Sequence, residues 1–208
     1  MQSKTYLRAE LLLLFVLIPL SFFWNYYIWL KVGLGVVGFV YVLILMKKAA
    51  IFNLKLPNRE SLIPFFKEIA LKLIGIAIIT SFYVSYVSPD KLFDVLLQKP
   101  LLWLVILFGY SLLSVWPQEV LYRTFFFNRY EALVVNKWGL IFLNALVFSF
   151  AHLFLKNILV LALTFVGGLL FAYTYYTKRS TLLVSIEHAI YGNWLFTVGM
   201  GEILAFPA

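Results

Sequence analysis

Apolar runs long enough to cross a bilayer, separated by short polar segments, recur from one end of the chain to the other. A helix needs roughly 20 apolar residues to span a hydrocarbon core about 30 Å thick. On that measure the sequence predicts helices over residues 9–24, 28–46, 69–87, 100 to 116 or beyond, 139–155, 158–177 and 181–200. Pro117 is expected to kink the fourth of these without ending it, so that it runs on to about Asn128. The expected fold is all-α, a polytopic transmembrane helical bundle of about seven spans. Eight membrane helices are the alternative count. The segment from Asn53 to Glu68, where Pro57, Pro64 and charges mix with Leu62, Phe65 and Phe66, reads as a cytoplasmic connection lying partly in the interface or as a plain loop.

The polar segments carry the orientation. With the amino terminus in the cytoplasm, twelve basic residues fall on the inside, among them Lys47, Lys48, Lys137, Lys178 and Arg179, and only Lys91, Lys99 and Lys156 fall outside. That asymmetry predicts a cytoplasmic amino terminus. Lys4 and Arg8 precede an apolar run as a signal peptide would, but Ser21, Phe22, Phe23 and Trp24 are too bulky for a cleavage site, which predicts a retained first span. No internal repeat or low-complexity tract appears. The organisation expected is one integral membrane domain over 1–208, with amino-terminal spans and a cytoplasmic connection in 9–99 and core helices in 100–200.

Composition narrows the picture. Hydrophobic residues make up 63% of the 208 and charged residues 12%, with a mean hydropathy of +0.95, more apolar than a water-soluble domain sustains. The net charge of +8 is explained by basic residues flanking spans, so no nucleic-acid partner is expected; the bilayer is the partner. With no Cys, thiolate chemistry is excluded. The location expected is multi-pass, in a bacterial inner or similar plasma membrane.

Ionisable groups within spans cost about 2.5–3.5 kcal/mol each, so they are the first places to look for function. Glu119 and Arg123 lie four residues apart, and the chain's two histidines, His152 and His188, fall on two further helices. Each has a structural reading: an i,i+4 ion pair for the first two, an interhelical hydrogen bond for each imidazole. A carboxylate and two imidazoles on three helices nevertheless form a set that packing alone does not require. Counted along the helices, Glu119, His188 and His152 lie about 14, 12 and 20 Å from the cytoplasmic edge, a spread that tilt absorbs. Glu187, beside His188, is expected to pair with Arg123 or a span-end lysine, or to orient an imidazole. Tyr122 and Tyr191 either donate into the site or pack. The run Phe125, Phe126, Phe127 with Arg129 and Tyr130 reads as an interfacial anchor, and Trp24, Tyr27, Trp29 and Trp138 as belt residues.

At these positions the sequence resembles the CAAX protease and bacteriocin-processing (CPBP, or Abi) family of intramembrane endopeptidases. The family pattern is E-E-x-x-x-R, F-x-x-x-H and H-x-x-x-N. Gln118-Glu119 through Arg123 stand for the first motif, Phe148 through His152 for the second, and His188 followed by Gly192-Asn193 for the third. The resemblance implies a helical bundle in which a glutamate and the second-motif His activate water against a peptide bond, while the third-motif His and Asn stabilise the oxyanion, with no metal. Two positions depart from the pattern. The first glutamate is Gln118, whose amide accepts no proton, so Glu119 is expected to serve instead. The expected Asn position is Gly192, and Asn193, at i+5 from His188, would face away unless Gly192 permits a bulge or unwinding.

The leading expectation is therefore an endopeptidase acting on a peptide or membrane-protein substrate through Glu119, His152, His188 and Asn193, supported by Gln118, Arg123, Glu187 and Tyr191. A metal-dependent form would hold Zn on Glu119, His152 and His188 with a fourth position open. A catalytically impaired relative, binding a peptide or conferring bacteriocin immunity or regulation, is favoured by Gln118 and Gly192. A transporter would use the same buried charges, with Gly167-Gly168 and Gly199-Met200-Gly201 either permitting helix unwinding or serving as packing positions.

Overall fold

The computed structural model describes residues 3–51 and 59–204, and among them there are helices and turns but no strand. The start of the expected connection, residues 53–58, lies outside the described residues; its remainder belongs to a long helix. In chain order the helices are α1 (residues 4–21), α2 (Ile28–Lys48), α3 (Arg59–Val87), a short α4 (Asp94–Gln98), α5 (Pro100–Leu133), α6 (Lys137–Phe150), α7 (Ile158–Lys178) and α8 (Thr181–Val198). Every predicted apolar segment is helical. Four helices are long and apolar enough to cross a membrane by length and composition: Ile28–Lys48, Pro100–Leu133, Lys137–Leu155 and Ile158–Lys178.

Helix ends follow local chemistry. The first orphan N–H groups of α6 are accepted by the Asn136 side chain and those of α7 by Asn157. Lys47 and Lys48 sit in the last turn of α2, where the macrodipole favours cations. Large apolar side chains point outward, including Leu71 at 72% exposure, Phe82 at 75% and Leu113 at 82%. Such a surface is stable in lipid and not in water, and the chain is an integral membrane protein.

The described residues pack as two compact units, 3–51 with 119–181, and 59–118 with 182–204. The first is centred on Phe15, whose ring meets Tyr122, Phe126 and Tyr130 with centroids 5.3, 5.4 and 5.8 Å away. Phe125, Phe126, Phe127 and Tyr130 are fully buried. They are therefore core residues and not the interfacial anchor their clustering suggested: Phe15 of α1 packs on Phe125, Phe126 and Tyr130, and Phe127 packs on Tyr175 and Tyr176 of α7. Gly168 lets α7 approach α6 until a Cβ there would lie 2.9 Å from the Ala145 backbone, so of the Gly167-Gly168 pair it is Gly168 that serves close helix packing. In the second unit, indole donors tie helices together: Trp103 to Thr197 and Trp194 to Thr80, each at 2.9 Å.

A polar clamp that the sequence reading did not find joins α1 and α2 to the end of α5. Glu10 is buried; Arg129 donates to it from Nε and Nη2 at 2.8 Å each, Tyr130 at 2.9 Å and Tyr41 at 3.1 Å. Charge-assisted bidentate bonds of this kind are strong, and stripping one partner leaves the other uncompensated. Glu10→Ala is expected to lower the melting temperature of the detergent-solubilised protein by on the order of 10 °C. Tyr41→Phe, which removes one of four bonds, should cost only about 3 °C. Equal losses in the two variants would show that Glu10 is not the hub.

Candidate active site

Helix α5 carries the first motif through Pro117, as predicted. Proline contributes no N–H and crowds the carbonyl four residues back. Around the carbonyl so crowded, that of Leu113, the helix is widened: it is wound as a π-helix from Tyr110 to Val115, is regular α-helix over Trp116–Glu119, and is π-wound again from Val120 to Phe125. Glu119 and Arg123 both have no exposed surface, and Arg123 Nε lies 3.3 Å from Glu119 Oε2. The i,i+4 ion pair therefore exists, and it is buried. The guanidinium also lies over two mutually perpendicular rings, 4.2 Å from the Phe148 centroid and 5.4 Å from that of Phe171. The second motif's Phe148 is thus the platform for the first motif's Arg123.

Within the membrane-length stretch Lys137–Leu155 the regular α-helix ends at Phe150, and His152 sits on the turn between it and a final 3-10 turn over Leu153–Leu155. Its Nδ1 is 2.8 Å from the Phe148 carbonyl, one of the acceptors a helix end leaves unsatisfied. A carbonyl only accepts, so Nδ1 carries the proton. In the neutral ring the basic lone pair is then on Nε2. One turn before Phe148, Asn144 is fully buried and donates through Nδ2 to the Tyr122 carbonyl. Asn144 escaped the sequence reading, although an amide within the apolar run from Leu140 to Val147 was a usable signal. Tyr122 itself packs between Phe15 and Phe148.

The third motif belongs to the second unit. His188 Nε2 is 3.1 Å from the Tyr110 hydroxyl. Asn193 donates through Nδ2 to Ser111 Oγ at 3.0 Å, and Ser111 donates its one proton to the Leu107 carbonyl at 2.7 Å. The serine oxygen can only accept from Asn193, which fixes the amide orientation and buries Asn193 Oδ1 without a hydrogen bond. Gln118 is held similarly, Nε2 to Ser114 Oγ at 2.8 Å. The expected bulge is absent: α8 is regular α-helix through Gly192. A Cβ at Gly192 would collide with the ring and hydroxyl of Tyr110, so glycine is required there by close approach and not by unwinding. Nor does Asn193 face away. His188 and Asn193 are about 140° apart on the helix, and consecutive residues of α5, the long Tyr110 and the short Ser111, meet one each.

Glu187 is fully buried and bound by Lys72 at 3.2 Å and by the Tyr191 hydroxyl at 3.1 Å. Of the partners anticipated for it, the span lysine is the one present, and Tyr191 spends its proton on Glu187. Within the first unit the structure joins Glu119, Arg123, Phe148 and His152; within the second it joins Tyr110, His188, Ser111 and Asn193, with Gln118 on the same stretch of α5. Among the described residues no group of three or more His, Cys, Asp or Glu is placed to hold a metal ion.

The sequence model of the family described as type II CAAX prenyl endopeptidase Rce1-like matches residues 100–195, just under half of the chain. The matched stretch runs from the start of α5 into α8 and contains all three motifs, in agreement with the resemblance read from them. The family is one of proteases. No curated protein and no solved structure matches the chain.

The Tyr110 and Gly192 pair makes a specific prediction. Restoring an amide at the family position, Gly192→Asn, should overpack the helix contact and lower the melting temperature by about 5 °C. Adding Tyr110→Ala should recover most of that loss, whereas a further loss in the double variant would contradict the assigned contact.

Proposed function

We propose that this chain, whose residues 100–195 fit the Rce1-like CAAX endopeptidase family, is an intramembrane endopeptidase that hydrolyses a peptide bond in a peptide or membrane-protein substrate. The observation that carries the reading is the fully buried Glu119–Arg123 pair stacked on Phe148. A bundle gains nothing from hiding a charge pair that hydrophobic residues would replace without loss, unless the carboxylate has work to do.

In this reading Glu119 and His152 activate a water molecule together, and Glu119 takes its proton. The resulting hydroxide attacks the scissile carbonyl carbon, and the carbonyl electron pair moves onto oxygen. The resemblance assigns the oxyanion to His188 and Asn193; the imidazole and the Tyr110 hydroxyl share one hydrogen bond, so one N–H or O–H of that pair, with the second Nδ2–H of Asn193, serves as donor. Collapse of the intermediate breaks the C–N bond, and the amine leaves with the proton first abstracted. Arg123 holds Glu119 in place, and Gln118 orients water without accepting its proton. The membrane setting supplies low dielectric, in which fixed donors act strongly on developing charge. By the distribution of basic residues we place the amino terminus in the cytoplasm, with about seven spans in a bacterial plasma membrane. The prenylated substrate named by the family is not carried over to this chain.

Cleavage of a fluorogenic peptide by protein reconstituted in liposomes tests the assignment. Glu119→Gln, His152→Ala and His188→Ala should each lower turnover by about 10²–10⁴-fold, and Asn193→Ala by about 10²-fold. Full turnover in Glu119→Gln would sink the mechanism. The Gln118 amide, already engaged with Ser114, favours one second reading: a scaffold that binds peptide without cutting it. A wild-type protein that binds but never cleaves would establish that reading. Metal analysis of active protein separates the metal-free form from a zinc form on Glu119, His152 and His188.

A further inference from the structure

The residue before His188 is a carboxylate with no exposed surface. Its Oε1 receives Lys72 Nζ at 3.2 Å and the Tyr191 hydroxyl at 3.1 Å, while its Oε2 is buried without a hydrogen-bond partner. Lys72 lies in the interior of α3, a helix that precedes the stretch matched by the family. One turn back, Glu68 also reaches Lys72 Nζ, at 2.7 Å. The lysine therefore serves two carboxylates, one partly exposed and one sealed inside.

We propose that Lys72 is a positioning residue for His188: by neutralising Glu187 it locks α8 against α3 at the turn where His188 meets Tyr110. Glu187 and His188 project about 100° apart around α8. The helix is therefore held on three sides, by Lys72 at Glu187, by Tyr110 at His188 and by Ser111 at Asn193. Release of the first grip frees the helix to rotate, and the imidazole moves with it. The inference rests on the reading of His188 as a site residue, but the contact it depends on is independent of turnover.

The two partners are not equivalent. Glu187→Gln leaves Lys72 with Glu68, so no charge is stranded. Lys72→Met leaves an ionised carboxylate sealed in the protein with one tyrosine hydroxyl, the far costlier state. In detergent micelles Lys72→Met should lower the melting temperature by on the order of 10 °C, and Glu187→Gln by less than half as much. The double variant Lys72→Met/Glu187→Gln should recover most of the loss, and Lys72→Arg should stay near wild type. The chain has two histidines, so ring ¹⁵N spectra, assigned with His152→Gln, separate positioning from a general loss of stability. Lys72→Met should displace the His188 signals and leave those of His152 in place, and the double variant should return them. Equal damage from the two single variants, a double variant no better than Lys72→Met, or parallel displacement of both histidines would overturn the proposal. If Lys72→Met does not accumulate, recovery of folded protein by the double variant supports it and failure to recover overturns it. Absence of peptidase activity in the wild type would count against the proposed function alone.

Discussion

A guanidinium with no contact with solvent cannot be left to itself, and the first unit is organised around satisfying Arg123. The carboxylate of Glu119 supplies the opposite charge, and Phe148 and Phe171 supply aromatic faces. Water would have screened such a pair to little value, but in an apolar interior the attraction is large and so is the cost of breaking it. Phe148 then fixes His152 through its own carbonyl. The chain of dependence runs from one buried charge to the tautomer of an imidazole, and each link is a contact that the neighbouring motif residue provides.

The second unit solves a different problem, which is how to hold polar side chains on a single helix that faces apolar surroundings. Helix α8 carries Glu187, His188, Tyr191 and Asn193 within seven residues. Each is tied off: Glu187 by Lys72 and Tyr191, His188 by Tyr110, Asn193 by Ser111. The π-wound stretch Tyr110–Val115 supplies two of these partners. The departures from the family pattern make sense in this setting. Gly192 makes room for Tyr110, and the amide one position later finds Ser111, so the region is internally consistent without an asparagine at the usual place.

Much of this was legible in the chain itself. The apolar periods located every long helix, the i,i+4 spacing of Glu119 and Arg123 anticipated their ion pair, and the three motifs pointed to the stretch that the family model matches. Other features were hidden because they depend on partners remote in sequence. Glu10 looks like a surface charge in an amphipathic start, yet its partners are 119 and 120 residues away. Asn144 and Tyr110 carry no motif, and Lys72 reads as a span-end lysine until Glu187 is brought beside it.

Helix length and membrane residence are matters of local composition, since burying a backbone in lipid requires only that each segment satisfy its own hydrogen bonds and present apolar side chains. The sequence alone therefore determined the class of fold and the candidate residues. Which face each residue presents was decided by packing. Phe125 and Phe126 are covered by α1 and Phe127 by α7, and Gly192 leaves the space that the Tyr110 ring occupies. Those choices are set by contacts between helices distant along the chain, and no local pattern encodes them.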